Sequence, residues 1–301
     1  MAPKKTKVSE AISWTAPAKL NLFLHIVGRR ADGYHLLESL FAFTEKGDEI
    51  TVRPARGLSI DVAGPFAEML RADCENDDNL VLKAARALQS HGEAAKGAHI
   101  HLQKNLPIAA GIGGGSADAA ATLLALNELW RLGLSIESLA EVGLTLGADV
   151  PACLYRAPLR VAGIGELVEK TVLASSYGVL LANPRAAVAT PAVFEAFHCL
   201  GGGYTGSIEK WEISEGSIQL EWIASKTSND LESAACQLCP VVSDVLQELS
   251  KLRNARFVRM SGSGATCFAL FDTEAEALAA QRKLRVIRPD WWFFADRLLV
   301  G

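Results

Sequence analysis

The sequence contains no long hydrophobic run. Its apolar stretches, such as Val179–Ala182, have the length of a strand, whereas a membrane-spanning helix needs about 20 apolar residues. The lysines near the start of the chain are followed by no apolar segment of the kind found in secretory signals. We therefore expect no membrane segment and a cytoplasmic location, with residues 1–9 forming a disordered polar tail.

Cysteine is also scarce, with six residues in 301. A disulfide framework is therefore not expected. The one C-x-x-C pair, Cys236 and Cys239, has no second pair at zinc-like spacing, and we interpret both as small buried residues. His99 and His101 share one face of a predicted strand without a third ligand nearby, and we interpret them as ordinary strand residues. We expect no metal site made of these cysteines and histidines.

The chain has no excess of positive charge. Its net charge is −4, and its lysines and arginines are scattered along the sequence, so it lacks the basic surface of a nucleic-acid-binding protein. Any polyanion that it binds should be small. Half of the residues are hydrophobic, which is enough for one large domain or two ordinary ones.

Alternating and helical patterns predict a mixed α and β chain. The predicted strands are Leu20–Val27, Leu36–Phe43, Asp48–Arg53, Leu58–Val62, Ala98–Gln103, Val179–Ala182, Phe257–Met260, Thr266–Phe271 and Trp291–Arg297. Leucine and alanine at helical spacing predict helices over Asn79–Gln89, Ser116–Trp130, Ile136–Leu146, Thr190–Phe197 and Glu274–Val286. The most informative unit is the strand, glycine-rich loop and helix between residues 98 and 130.

Four glycines fall within five residues in the segment Pro107–Asp118, which we name the first glycine motif. A glycine backbone can turn its N–H groups towards a close-packed anion, and a following helix adds the positive end of its dipole. The motif is not a Walker A loop, because no Lys-Ser or Lys-Thr follows, and its spacing differs from the dinucleotide fingerprint. Taken alone, it is either a phosphate-binding loop or a tight packing turn.

Several segments together resemble the GHMP kinases, the superfamily of galactokinase, homoserine kinase, mevalonate kinase and phosphomevalonate kinase. The first glycine motif is similar to their central ATP-binding motif, and Met260–Thr266, which we name the second glycine motif, is similar to their C-terminal motif. Ala16–Leu24 and Gly28–His35 resemble the branch that phosphorylates cytidine diphosphate methylerythritol. The resemblance covers Thr15–Phe271, with alanine at positions 109, 110 and 117 where many members carry glycine or serine.

The resemblance implies an α+β fold with two domains. The N-terminal domain, residues 10–160, would be like domain 2 of ribosomal protein S5, and the C-terminal domain, residues 161–301, would be a ferredoxin-like α/β sandwich. The active site would lie in the cleft between the domains. The resemblance further implies ATP and Mg²⁺ as cofactors, a small-molecule substrate, and a monomer or weak homodimer.

Two residues match the catalytic residues of the family. Asp149, in Gly-Ala-Asp-Val-Pro, matches the aspartate that takes or orients the hydroxyl proton, although without the resemblance a turn-capping aspartate would be favoured. Lys19 matches the lysine beside that carboxylate, whereas an isolated lysine is otherwise a solvated surface group. Asn21 shares a strand face with Lys19, and we expect it to contact the substrate or support this pair.

The resemblance also implies the nucleotide and substrate contacts. Phosphate contacts are expected from Pro107, Ile108, Ala109, Ala110, Gly111, Ile112, Gly113, Gly114, Gly115, Ser116 and Ala117. Asn79 and Leu80 match adenine contacts, Lys104 is expected to reach ribose or phosphate, and Ser116 caps the helix or ligates Mg²⁺.

Four residues match the family's cytosine site. Tyr34 and Phe194 match the aromatic faces that stack cytosine, His35 matches the group that bonds its edge, and Thr190 lies nearby in the sequence. Each could instead be an ordinary core or surface residue. Two other functions remain open at this stage: another GHMP alcohol kinase, or a nucleotide-binding homologue without catalysis.

Overall fold

A computed structural model describes residues 11–70, 79–91, 96–208, 211, 213–214 and 216–301. The predicted tail at residues 1–9 and Cys74 lie outside the described residues. The strands are β1 Ile12–Arg29, β2 His35–Ala55, β3 Leu58–Ala63, β4 Gly97–Gln103, β5 Leu159–Gly163, β6 Leu167–Lys170, β7 Gly178–Asn183, β8 Ile213–Ser214, β9 Ser217–Ile218, β10 Phe257–Met260, β11 Cys267–Phe271 and β12 Trp292–Arg297. The helices are α1 Leu80–His91, α2 Gly114–Trp130, α3 Ile136–Leu144, α4 Val150–Tyr155, α5 Thr190–Cys199, α6 Leu220–Lys226, α7 Glu232–Leu238, α8 Val241–Ser250 and α9 Glu274–Ile287.

The chain forms two compact units. The first unit takes in the described residues of Met1–Ala16, Asp48–Leu106 and Gly115–Leu154, and the second takes in Pro17–Gly47, Pro107–Gly114 and Tyr155–Gly301. Each unit is therefore assembled from segments that are separated in the sequence. The predicted division into 10–160 and 161–301 stays a prediction.

In the first unit, β4 lies between two strands. It pairs antiparallel with the second half of β2 and parallel with β3. Ala98, Ile100 and Leu102 alternate along β4 and are buried, as expected of a strand with one face on a core. His99 lies on the other face, where its ring bonds Ser59 Oγ and Asp61 Oδ2, each at 3.0 Å.

Helix α2 is apolar around its whole circumference. From Ala117 to Leu126 every residue is buried, which is typical of a helix surrounded by other elements. It begins at Gly114, two residues before the predicted start at Ser116. The difference has a simple cause, because the first N–H groups of a helix need no intrahelical partner and glycine is tolerated there.

The second unit contains an antiparallel sheet in the order β10-β11-β7-β12. All residues of β7 and β11 are buried, because these inner strands are covered by helices. Helix α9 presents Ala277, Ala280 and Leu284 to this core, a helical spacing that predicts one buried face. A capping box between Thr273 and Glu276 starts this helix.

The second unit also contains most of β1 and the first half of β2. β1 pairs with β2, and Leu37–Phe41 of β2 pairs antiparallel with β5. β2 runs without a break through Gly47, where the sequence predicts a gap between two strands. The mixed α and β class with two main sheets is confirmed. No helix in the described part of the chain is long and apolar enough to cross a bilayer.

Candidate active site

The backbone of the first glycine motif alternates in the sign of φ. Ala109, Gly111 and Gly113 have φ values of 51°, 73° and 63°, and the residues between them do not lie in this left-handed region. Such alternation forms the concave backbone arrangement that binds anions through successive N–H groups. Helix α2 begins directly afterwards, at Gly114. The segment therefore has the local backbone of a phosphate-binding loop.

Three consecutive carbonyl groups of this loop are hydrogen-bonded within the second unit. The Thr266 N–H donates to Ala110 O at 3.2 Å, Ser261 Oγ donates to Gly111 O at 2.9 Å, and the Lys19 N–H donates to Ile112 O at 2.9 Å. Because the peptide group is planar, fixing a carbonyl also fixes the N–H on its far side. The two glycine motifs are thus one rigid structure, which their sequences alone do not show.

Gly111 has less room for a side chain than Gly113 or Gly115 of the same motif, and this gives a test. A Cβ there would lie 2.6 Å from both Gly264 O and Ser261 O, and φ is +73°. We expect Gly111→Ala to raise the KM for ATP at least tenfold, because the loop must leave its position. Gly201→Ala is the matched control, with φ of +72° and no atom within 4 Å of its Cβ. Steady-state kinetics should leave the control within about twofold of the wild type, and equal KM values for both variants would contradict the assignment.

Lys19 is buried and held by neighbours on its own strand and the next one. Its Nζ donates to Asn21 Oδ1 at 3.0 Å and lies 4.2 Å from the centre of the Phe41 ring. Asn21 Nδ2 donates to Ser39 Oγ at 2.9 Å, and the Asn21 N–H donates to Ser261 Oγ at 3.1 Å. A Cβ at Gly113 would lie 3.1 Å from Lys19 Cβ and Cε. Lys19 and Asn21 are therefore adjacent to both glycine motifs.

The other predicted nucleotide-binding residues lie at the starts of two helices, α1 and α2. Gly114, Gly115, Ser116 and Ala117 form the first turn of α2. Asn79 precedes α1 and accepts the Val81 N–H through Oδ1 at 2.8 Å, which gives it a capping position. Leu80 Cδ2 lies 3.9 Å from a Cβ built at Gly115. The contacts of Asn79, Leu80 and residues 107–117 with a nucleotide all stay predictions.

Lys104 is in the core and has two carboxylate partners. Its Nζ lies 2.5 Å from Asp48 Oδ2 and 2.6 Å from Asp118 Oδ2, and its side chain is 2% exposed. Asp48 Oδ1 also accepts the N–H groups of Asn105 and Leu106. The predicted contact between Lys104 and ribose or phosphate is not favoured by this geometry, because the ammonium is engaged by both carboxylates. Lys104 instead connects the strand before the first glycine motif with helix α2 after it.

This buried cluster also changes the acidity of Asp118. Burial raises the pKa of Asp118 to about 7, the charge of Lys104 opposes the shift, and the charge of Asp48 adds to it. The two carboxylates raise the pKa of Lys104 despite its burial. The Lys104 ammonium therefore stays charged at neutral pH. Asp118 takes up one proton as the pH falls through about 7.

Asp149 lies immediately before α4. Its carbonyl accepts the Cys153 N–H at 3.2 Å, and its side chain is partly buried. The residues that follow, Val150 to Leu154, are buried and anchor this turn. Asp149 belongs to the first unit and Lys19 to the second, and their catalytic pairing stays a prediction.

The four predicted cytosine contacts line one cavity of about 850 Å³ in the second unit. Tyr34 is 61% exposed at its edge. The rings of His35 and Phe194 are stacked, with centroids 4.5 Å apart and an angle of 19°. Thr190 Oγ1 lies 2.8 Å from Ser263 Oγ, so the cavity is directly connected to the second glycine motif. The structure therefore brings Tyr34, His35, Thr190 and Phe194 together.

Three residues of this region are missing from the sequence prediction. His198 Nε2 lies 2.6 Å from His35 Nε2, and its spacing of four residues from Phe194 on α5 is the signal that could have found it. Ser39 is buried and links Asn21 to Phe23 O. Asn229 Nδ2 donates to Met260 O at 2.9 Å and Gly262 O at 2.8 Å. The last two residues support the site through contacts that are distant in sequence and leave no local signal.

Comparison with known proteins shows the family to which the chain belongs. Residues 79–157 match the GHMP kinases N terminal domain, and residues 218–286 match the GHMP kinases C terminal domain. The chain is 44% identical over 289 residues to the 4-diphosphocytidyl-2-C-methyl-D-erythritol kinase of Rhizobium leguminosarum bv. trifolii, covering 95% of this chain and 94% of that protein. It is 45% identical to the kinase of the same name from Ruegeria pomeroyi, covering 96% of this chain and 100% of that protein.

Solved structures show the same relationship. A crystal structure of 4-(cytidine 5'-diphospho)-2C-methyl-D-erythritol kinase has a TM-score of 0.79 and 31% identity, covering 96% of this chain and all of that one. L. major mevalonate kinase has a TM-score of 0.70 at 15% identity, covering 100% of this chain and 99% of that one, and shares the fold. The fold and the two glycine motifs thus define a GHMP kinase. Within that class, the chain belongs to the family of the 4-diphosphocytidyl-2-C-methyl-D-erythritol kinases.

Proposed function

We propose that the protein transfers the γ-phosphoryl group of ATP to the 2-hydroxyl of 4-diphosphocytidyl-2-C-methyl-D-erythritol, giving the 2-phosphate and ADP. This reaction is a step in the non-mevalonate formation of isoprenoid precursors. The observation that carries the proposal is the cavity lined by Tyr34, His35, Thr190 and Phe194, which is connected through Ser263 to the second glycine motif. Its volume suits a nucleoside, and its aromatic and imidazole groups suit a base that stacks and bonds at its edge.

The chemistry requires three tasks of the chain: holding the triphosphate, stabilising charge on the transferred group and accepting the hydroxyl proton. The backbone of the first glycine motif holds the phosphates. Lys19 offers an ammonium that is fixed by Asn21 Oδ1, and its side chain lies beside this motif at Gly113. Asp149 accepts the proton of the 2-hydroxyl as the oxygen attacks the γ-phosphorus and ADP leaves.

Mg²⁺ enters the proposal as a companion of ATP. Among the described residues there is no group of three or more histidine, cysteine, aspartate or glutamate side chains that could hold a metal ion. We therefore propose that the ion would be held mainly by the phosphates and water, and that it would neutralise phosphate charge during the transfer. Ser116, in the first turn of α2, is the protein residue proposed to reach it.

Three further properties are proposed on the sequence alone. These are a cytoplasmic location, a monomeric or weakly dimeric state, and a domain boundary between residues 160 and 161. Light scattering on the purified protein at several concentrations tests the second of them, because a weak homodimer dissociates on dilution whereas a monomer keeps its mass.

The proposed reaction is tested by measuring ADP release with three alcohols at equal concentration. We expect turnover with 4-diphosphocytidyl-2-C-methyl-D-erythritol and only background with mevalonate and homoserine. Faster turnover with either of the other alcohols would assign the protein to another GHMP kinase reaction. Binding of ATP without ADP release from any substrate would identify a nucleotide-binding homologue without catalysis.

A further inference from the structure

Two histidines from distant parts of the chain share one short hydrogen bond in the cavity. His35 at the start of β2 and His198 near the end of α5 bring their Nε2 atoms to 2.6 Å, with ring centroids 4.8 Å apart. At this distance one nitrogen must donate a proton and the other must accept it. The bond uses Nε2 of His35, which leaves its Nδ1 as the ring nitrogen that can address a ligand.

The direction of this bond decides where the ring hydrogen of His35 resides, because a neutral imidazole carries only one. Burial, followed by the charges of His198 and Arg29, lowers the pKa of His35, so this ring is neutral at pH 7. His198 lies in the last turn of α5. When its Nε2–H donates to His35 Nε2, the one ring hydrogen of neutral His35 resides on Nδ1.

We propose that His198 Nε2–H is the donor in the 2.6 Å bond to His35 Nε2, and that His198 is thereby a positioning residue for nucleobase recognition. The bond fixes the tautomer of His35 in which Nδ1–H donates to the base edge. This inference rests on the proposed function and extends it. Cytosine offers an unprotonated ring nitrogen and a carbonyl oxygen on that edge, whereas the corresponding ring nitrogen of uracil carries a hydrogen. A donor at His35 Nδ1 that faces this ring nitrogen can bond to cytosine but meets the N–H of uracil.

The packing around the pair supports a fixed ring. Phe194 stacks on His35 and precedes His198 by one helical turn, so both residues lie on one face of α5. Phe194 contacts the plane of the His35 ring, and His198 bonds its Nε2. The other charged groups that line the cavity are Arg29, Asp32 and Glu195. Asp32 is paired with Arg30 at 2.8 Å, and Arg29 Nε donates to Gly33 O at 3.0 Å. These contacts anchor the turn that presents His35.

The test compares His198→Leu, which removes the donor, with His198→Gln, whose amide N–H can replace it. We expect His198→Leu to raise the KM for the cytidine substrate about tenfold, the size expected for one lost hydrogen bond, with kcat and the KM for ATP within twofold. His198→Gln should recover most of this loss. His101→Leu, a partly buried histidine of β4 in the first unit, is the matched control and should leave all three values unchanged.

Two readouts do not depend on turnover. Imidazole ¹⁵N spectra of the wild type should show the His35 proton on Nδ1, and the spectrum of His198→Leu should show loss of that fixed tautomer. With an ATP analogue saturating the nucleotide site, calorimetry should show that the preference for cytidine diphosphate over uridine diphosphate falls about tenfold in His198→Leu.

Three results would overturn the role of His198. They are a wild-type His35 protonated at Nε2, an unchanged KM and base preference in His198→Leu, and a folded His198→Gln that behaves like His198→Leu. A wild type that binds the diphosphates with the expected preference but does not turn over the cytidine substrate would contradict the proposed function alone. The two failures are therefore distinguishable.

Discussion

Replacing Asp149 with asparagine is expected to lower kcat by about 10³-fold, within the range of about 10² to 10⁴ found for general acid–base catalysis. Asparagine keeps the size of the side chain, and the backbone carbonyl at position 149 still accepts the Cys153 N–H. Helix α4 should therefore form normally. Asparagine lacks a carboxylate to take the hydroxyl proton. The affinity for ATP should stay within about twofold, because in the proposed mechanism the first glycine motif, and not Asp149, holds the phosphates.

This prediction is checked by pre-steady-state ADP formation together with equilibrium binding of an ATP analogue. Asp272→Asn is the matched control, because Asp272 is 59% exposed and its pairing with Arg256 lies on the surface of the second unit. The control should retain wild-type kcat. A kcat for Asp149→Asn within tenfold of the wild type would show that another group accepts the proton.

Replacing Lys104 with methionine is expected to lower the free energy of unfolding by about 3–5 kcal/mol, the cost of removing one partner from a buried ion pair. Methionine fills much of the volume but leaves Asp48 and Asp118 without their ammonium. Both carboxylates are almost fully buried. Urea unfolding followed by circular dichroism measures the effect.

The pH dependence of the Lys104→Met variant gives a second readout. The pKa of Asp118 is already raised to about 7 in the wild type and should rise further without the ammonium. The folded state then keeps a proton that the unfolded chain releases near its ordinary pKa of 3.8. Stability should therefore fall as the pH rises from about 5 to 8, and more steeply in the variant than in the wild type.

Two further variants complete this experiment. Lys251→Met removes a lysine that is 57% exposed and paired with Glu248 on one helical turn, and should change stability by no more than about 0.5 kcal/mol. Adding Asp118→Asn to Lys104→Met should recover part of the loss at neutral pH, because asparagine is neutral without taking up a proton. Equal stability of Lys104→Met and Lys251→Met would contradict the structural role of Lys104.

Local patterns predicted much of the fold because many elements are encoded by nearby residues. The strand Ala98–Gln103 has buried residues at every second position, and the break between β1 and β2 follows from Gly33, whose φ is +94°. The uninterrupted course of β2 was not predictable in the same way. Its two halves pair with different strands, β5 and β4, and this non-local pairing maintains the strand through Gly47.

The candidate site shows the same difference between local sequence signals and contacts that are distant in the sequence. The first glycine motif and the residues Tyr34 and His35 could be identified from short segments that match a family. The partner of His35 is 163 residues away in the sequence, and the carboxylates around Lys104 are 56 and 14 residues away. Such contacts depend on tertiary packing, so the sequence could not show that Lys104 is engaged in the core.

The most direct test of the account is identification of the product formed from ATP and 4-diphosphocytidyl-2-C-methyl-D-erythritol. Phosphorus NMR of the reaction mixture should show ADP and one new phosphomonoester on the tertiary 2-hydroxyl, in equal amounts, with the diphosphate bridge of the substrate intact. A phosphate on a different hydroxyl, or ADP released without a new phosphomonoester, would contradict the proposed reaction.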